Sequence, residues 1–198
     1  MNGVSRALLI AAALLPALSE AQDSATTRPA SSQFNYSYVE LGYQETEFQV
    51  GNADIDGDGL SLSGSFEIND DWHAFASYGN ADLDFGIDID TWAVGAGYAF
   101  PLRQDVDLYG RVLYLKLDVD PGALAADDDG LGLQFRIRAL VTDELELEGG
   151  IQYVEVEDSD TSLQVGARYY FTETFSAGVG LTLAGDADGI GINARYSF

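Results

Sequence analysis

Leu131-Gly132-Leu133-Gln134-Phe135-Arg136-Ile137-Arg138-Ala139-Leu140-Val141, followed by Thr142-Asp143-Glu144 and then Leu145-Glu146-Leu147-Glu148, is the stretch that decides the fold. Leu131, Leu133, Phe135, Ile137, Ala139 and Val141 alternate with Gly132, Gln134, Arg136, Arg138 and Leu140, a period of two that belongs to a strand and not to a helix. One edge is apolar and the other carries arginine. Beyond the turn, Glu146 and Glu148 occupy the alternate edge of the next strand. Pairing Val141 with Leu145 sets Arg138 opposite Glu148, whereas a two-residue shift pairs Arg138 with Glu146 and Arg136 with Glu148. Both registers gather opposite charges on one face, and both put hydrocarbon on the other.

The same grammar runs outward in both directions. Leu60, Leu62, Gly64, Phe66 and Ile68 alternate with serines and Glu67, and Leu163, Val165, Ala167, Tyr169 and Phe171 alternate with Ser162, Gln164, Gly166, Arg168 and Tyr170. Such runs predict strands near 34–48, 58–69, 72–83, 89–100, 106–118, 129–141, 145–157, 161–171, 175–184 and 188–198. Each is about ten residues or slightly longer, the length a tilted strand needs to cross a bilayer. Tight turns at 69–71, 101–105, 142–144 and 172–174 alternate with connections around 49–57, 84–88, 119–128, 158–160 and 185–187. The second set is rich in Asp and Gly, and it is expected to form the longer, outer loops.

Residues 1–21 differ from the rest: Arg6 precedes a nearly unbroken Ala, Leu and Ile run from Ala7 to Leu18, and Ser19-Glu20-Ala21 suits signal peptidase. The run is too short to span a bilayer, so it predicts a cleaved signal peptide. Residues 22–33 are expected to be a disordered periplasmic lead, and 34–198 the folded domain. With no later apolar run of helical length, membrane insertion is open only to a closed barrel, in which strands satisfy one another's backbone groups. The fold predicted is therefore an all-β, closed antiparallel transmembrane barrel of about ten strands, with eight as the alternative count. Aromatics collect at strand ends: Trp72, Phe100, Phe171, Phe175, Tyr196 and Phe198 at one rim, and Tyr43, Tyr78, Trp92, Tyr114 and Tyr153 at the other. Two girdles match two membrane interfaces, whereas a β-sandwich would place such rings in mid-strand.

Thirty-three acidic residues against nine basic ones give a net charge of -24, which excludes nucleic acid as a partner. The bases are concentrated on the polar edges. Glu40, Glu67, His73, Arg111, Arg136, Arg138, Glu146, Glu148, Arg168 and Arg195 are expected to form a charge network filling a narrow lumen, because buried ions must be paired and hydrogen-bonded. A watery channel with walls of both signs is the competing arrangement. His73 is the one histidine, and it follows a tight turn opposite Glu67. A structural contact between them is expected, and no catalytic residue or cofactor is predicted. Asp54-Ile55-Asp56-Gly57-Asp58-Gly59 matches the first half of a calcium loop, but Ser65 stands where the twelfth-position Glu is needed. Asp54, Asp56 and Asp58, with Asp127, Asp128 and Asp129, are left as candidates for loose divalent-cation binding, and no defined metal site is predicted.

The stretches Tyr36-Ser37-Tyr38-Val39-Glu40-Leu41-Gly42-Tyr43, Trp92-Ala93-Val94-Gly95-Ala96-Gly97-Tyr98 and Arg195-Tyr196-Ser197-Phe198 resemble small outer-membrane barrels of the OmpX and OmpA-barrel type. Within these, the chain is most similar to a porin-like subgroup labelled the sulfation-dependent quorum factor family. The resemblance implies a monomer in the outer membrane of a Gram-negative bacterium, and it supplies no catalytic residues. Tyr196 and Phe198 are similar to the C-terminal signal read by the assembly machinery. The partners expected are that machinery, the lipid bilayer, and lipopolysaccharide with divalent cations. Three roles follow as expectations: a structural or surface-interaction barrel with acidic loops, a narrow pore for small solutes or cations, or a vesicle-released signalling protein.

Overall fold

The computed structural model describes residues 32–50, 53–84, 86–120, 126–156, 159–185 and 187–198, so the expected signal peptide and most of the lead lie outside the described residues. Ten strands follow in order: β1 Tyr38–Val50, β2 Ala53–Glu67, β3 Trp72–Leu83, β4 Ile87–Arg103, β5 Val106–Asp120, β6 Ala126–Leu140, β7 Leu145–Glu155, β8 Ser159–Tyr170, β9 Phe175–Ala184 and β10 Ala187–Ser197. Each pairs antiparallel with its sequence neighbours, and β1 closes on β10 through Tyr38 opposite Ser197. Closure leaves no unpaired edge, the condition for backbone to lie in hydrocarbon.

Alternation sets the two faces. On β6, Leu131, Leu133 and Phe135 point outward and are exposed, while Gln134, Arg136 and Arg138 point inward and are buried. The outward apolar run from Leu131 to Val141 is ten residue steps, which at ~3.3 Å per step and a ~45° tilt covers about 23 Å, close to the height of a barrel's lipid-facing band. Trp72, Phe100, Phe171, Phe175, Tyr196 and Phe198 are all exposed at the end carrying the tight turns. That end is called the turn end below. Trp72 packs edge-on against Tyr98, and at the outer end Tyr78 lies 4.5 Å from Trp92.

The tight turns are built from short polar side chains that bind their own backbone. Asn69 Oδ1 accepts from the N–H groups of Asp71 and Trp72 at 3.0 Å. Thr142 Oγ1 accepts from Glu144 at 3.3 Å and Leu145 at 3.1 Å, and Thr172 Oγ1 from Thr174 at 3.3 Å and Phe175 at 2.9 Å. At the outer end, Gly86 takes a positive φ of 70° in the β3–β4 connection, where a residue with a Cβ would be strained.

Two expectations are corrected. The outer connections are not long: β2 begins at Ala53, β4 at Ile87 and β6 at Ala126, so the Asp-rich segments run on as strand. A ladder past the lipid needs only backbone partners, and polar outward side chains are at home in water there. The calcium-like segment 54–59 therefore lies inside β2. Second, β1 starts at Tyr38, and the preceding residues enter the barrel mouth. Ser32 and Gln33, placed by the sequence reading in a disordered lead, are hydrogen-bonded to Asp107 and to the Gln104 carbonyl. A register shift between β4 and β5 falls at Pro101/Arg103. Phe75, Leu113, Leu115 and Leu117 depart from the polar-inside pattern because they face inward, forming an apolar patch with Ile89 and Val154.

Candidate functional site: the barrel lumen

Five arginines reach the lumen from β5, β6, β8 and β10, and all are buried. Four of them meet carboxylates. Arg138 grips Glu146 with two parallel bonds, Nε to Oε1 at 2.8 Å and Nη2 to Oε2 at 2.9 Å. Arg136 Nη1 donates to Glu148 Oε1 at 3.1 Å. Glu40, from β1, accepts from both Arg168 Nη2 at 2.7 Å and Arg195 Nε at 2.8 Å, which ties the first strand to its neighbour β10 and, past β9, to β8. The backbone register places Arg138 opposite Glu148 and Leu140 opposite Glu146. Its ion pairs nevertheless follow the diagonal, with Arg138 Nε at 3.9 Å from Glu148. Of the two arrangements the sequence allows, the structure takes the register of one and the strong pairs of the other, since diagonal neighbours lie within reach of long side chains.

Tyrosines complete the layer. Tyr170 donates its hydroxyl to Glu146 at 2.5 Å, and Arg136 donates to the Tyr109 hydroxyl at 2.9 Å. Arg195 sits 3.9 Å from the centre of the Tyr38 ring. Below this layer the segment 32–37 enters from the turn end. Phe34 and Tyr36 are buried, each ring facing the Arg138 guanidinium, at 4.5 and 5.1 Å. The Tyr36 hydroxyl and Ser32 both donate to Asp107, at 3.0 and 2.6 Å.

Glu67 and His73 are opposite in the ladder, yet the expected contact between their side chains is replaced by Tyr36. Glu67 Oε1 accepts the Tyr36 N–H at 2.6 Å, and the Tyr36 ring stacks on His73 at 4.8 Å. His73 instead accepts a bond from Arg111 Nε at its Nε2, 3.0 Å away, which places the ring proton on Nδ1. Gly97 makes this approach possible, because a Cβ there would overlap His73 Nε2 and lie 2.8 Å from Arg111 Cγ. Sequence reasoning missed Asp107, Tyr36, Tyr109 and Tyr170. Asp107 shares the parity of Arg111 on β5, which was a usable signal; the entry of Tyr36 into the lumen had none.

The expected cation ligands are not brought together. Asp56 and Asp58 project outward from β2, Asp129 projects outward from β6, and Asp128 lies on the inward parity of β6. The side chains of Asp54 and Asp127 lie outside the described residues. Strands β2 and β6 are not neighbours in the barrel. Among the described residues no group of three or more His, Asp or Glu side chains could hold a metal ion. What the outer end has instead is an outward collar of acids above the apolar band, including the directly opposed pairs Glu45 with Asp58, Asp58 with Asp82, Asp82 with Asp88, and Asp88 with Asp120. Girdle tyrosines donate into it, Tyr78 to Asp90 at 2.6 Å and Tyr153 to Glu155 at 3.3 Å.

At the C-terminus, Tyr196 and Phe198 are exposed on the outward face, and the Phe198 N–H donates to the Ser37 carbonyl at 3.1 Å. Residues 7–171 match the family described as the outer membrane protein beta-barrel domain. The chain belongs to this family. It is thus an outer-membrane protein associated with the lipid bilayer.

Among solved structures, this family member is similar to an outer membrane channel from Pseudomonas putida F1, with a TM-score of 0.54, 11% identity, and coverage of 89% of this chain and 100% of that one. It is also similar to the beta domain of the Bordetella autotransporter BrkA, with a TM-score of 0.50, 12% identity and coverage of 83% and 100%. Neisserial surface protein A follows at 0.44, with 17% identity and coverage of 81% and 96%. At these identities the likeness is one of fold. No curated protein matches the chain.

Proposed function

We propose that this protein is a non-enzymatic, monomeric barrel of the Gram-negative outer membrane, closed at its turn end, with a structural or surface-interaction role carried by its acidic outer collar. The observation that carries the reading is the filled turn end of the lumen: Phe34 and Tyr36 lie beneath a layer in which Arg136, Arg138, Arg168 and Arg195 are all ion-paired. Ten-stranded barrels are little wider than the eight-stranded ones that side chains fill. Such packing leaves little room for a continuous water column.

The outer collar supports an association with lipopolysaccharide through divalent cations, since carboxylate oxygens suit hard cations and both surfaces are anionic. The exposed Tyr196 and Phe198 support recognition by the assembly machinery during insertion. The sequence resemblance supports a place in the porin-like sulfation-dependent quorum factor subgroup. The test is single-channel recording in planar bilayers with the refolded full chain. Absence of stable current steps is expected; regular steps would overturn the closed-barrel reading in favour of a narrow pore.

A further inference from the structure

Above the arginine layer the lumen is not filled. A cavity of about 240 Å³ lies there, and its walls differ in chemistry. Strands β3 and β5 contribute Phe75, Leu113 and Leu115, while β2, β9 and β10 contribute Ser61, Thr182 and Asn193. Its floor is the ion-paired layer of Glu40, Glu148, Arg136, Arg168 and Arg195, and the remaining lumen arginine, Arg111, also lines it.

Arg111 differs from the other four. It is only 7% exposed, and its hydrogen-bond partners among the described residues are neutral: His73 Nε2 at 3.0 Å and the Tyr38 hydroxyl at 3.2 Å. A guanidinium has five N–H donors, and these bonds use two. Its flat face lies 4.5 Å from the Phe75 ring centre. Among the described residues no ion pair reaches Arg111, and Glu148 acts on it only from beyond contact. A buried cation held at a distance from its counter-charge is costly, and a site that keeps one is prepared for an anion that arrives from outside the chain. Buried polar atoms on three other lining residues, the amide oxygens Gln134 Oε1 and Asn193 Oδ1 and the hydroxyl Thr182 Oγ1, have no hydrogen-bond partner among the described residues. The hydroxyl can donate to an anion, and the two oxygens can accept from water or a ligand donor beside it.

We propose that this chamber binds a small organic anion, its carboxylate on Arg111 and its aromatic or short aliphatic body against Phe75, Leu113 and Leu115. The volume sets the size. At about 240 Å³ it exceeds the ~150 Å³ cavity that takes up benzene and falls below the ~300 Å³ at which pockets for drug-sized ligands begin. One ring with its carboxylate fits, whereas an oligosaccharide or an acylated lipid does not. The approach from the outer end passes the inward cluster of Phe48, Ala184 and Ala187 with Leu83 packed on it, beside a second space of about 720 Å³ lined by Thr46, Leu83 and Thr182, the last shared with the chamber. Asp58 and Asp82 border that space. They slow a free anion at low salt, and physiological ionic strength, with its Debye length of about 8 Å, is the condition to use.

The experiment is fluorine NMR of 4-fluorobenzoate with the folded full chain in detergent micelles, protein-free micelles as blank, and 4-fluorobenzamide as the uncharged isostere. Saturable broadening by the carboxylate is expected, with the amide roughly ten- to a hundredfold weaker, the fold-change of losing a charge-assisted hydrogen bond. Arg111→Gln should bring the carboxylate down to the amide's level. Leu115→Trp, which fills the chamber, should abolish saturable binding of both. Equal binding of carboxylate and amide to the unaltered protein would overturn the proposal without reference to any variant. So would the absence of saturable binding, or full binding to Leu115→Trp. None of these outcomes depends on whether the barrel conducts, so failure here and failure of the closed-barrel reading are read separately.

Discussion

The turn end of the lumen and the outer collar handle charge in opposite ways. In the lumen, Glu146 is 1% exposed and Arg138 2%, and each is answered by a partner in hydrogen-bonding contact. In the collar, acid stands opposite acid: Asp82 faces Asp88, and Asp88 faces Asp120. Desolvated charge must be met by protein partners, as Glu40 meets two arginines and His73 and Tyr38 meet Arg111, because an ion in a low-dielectric interior has no water to stabilise it. Charge in water need not be matched, and there the mutual repulsion is screened over a few ångströms to tens of ångströms according to salt. The chain thus spends five of its nine basic residues inside the barrel and leaves the outside acidic. The net charge of -24 is a property of the collar and turns more than of the transmembrane layer.

The sharpest way to break the lumen half of this contrast is Arg138→Ala. It strands Glu146, strips one donor from Tyr170, and removes the cation that faces Phe34 and Tyr36. Breaking a buried pair from one side costs about 3–5 kcal/mol. The heat-modifiable gel shift should therefore occur at a clearly lower temperature, and the double variant Arg138→Met with Glu146→Leu should recover much of the loss. An unchanged unfolding temperature for Arg138→Ala would mean that the network contributes no stability.

Much of this contrast was legible before any coordinates. The period of two, the two aromatic girdles, the side-chain-bonded turns at Asn69, Thr142 and Thr172, and the confinement of arginine to one parity all follow from single residues obeying local rules. What was not legible depends on three dimensions. Asp and Gly are turn signals in a one-dimensional reading, so Asp88 and Asp120 read as loop, although their alternation with Ile89 and Val119 carries the strand outward. Ladder position alone did not decide the partner of Arg138, because long side chains choose the diagonal. The apolar inward patch of Leu113, Leu115 and Leu117 breaks the polar-inside rule, and it is where the lumen opens into the chamber. The neutral surroundings of Arg111 had a signal in the register itself, since its ladder partners are Gly97 and Gln134.

A second, smaller loss tests the segment that closes the mouth. Tyr36→Ala removes a buried ring stacked on His73 and an acceptor-matched hydroxyl on Asp107. Truncating a buried aromatic to Ala costs about 3–5 kcal/mol in a closed core, and the lower end, about 3 kcal/mol, is expected at a mouth that water can partly refill. Urea unfolding measured by tryptophan fluorescence gives that number. The same variant recorded in planar bilayers separates packing from gating: intermittent current steps that the unaltered protein lacks are expected if Tyr36 holds the mouth shut, whereas lost stability with no current leaves the arginine layer as the sole barrier.

The collar calls for the smallest perturbation and the opposite sign. Asp88 lies between Asp82 and Asp120 on the outward face, so replacing it with Asn removes two like-charge oppositions and should raise the unfolding midpoint slightly, since like charges directly opposed on a sheet are destabilising. Salt decides whether the mechanism is the one claimed. At ~0.01 M ionic strength the Debye length is about 30 Å and the repulsion is felt in full, so Asp88→Asn should show its largest advantage there. At ~1 M it is about 3 Å, and the variant and the unaltered protein should converge. The loss caused by Arg138→Ala should change far less over the same range, because buried pairs are poorly screened. If both effects faded together with salt, the lumen network would be as wet as the collar, and the distinction between matched and unmatched charge would fail.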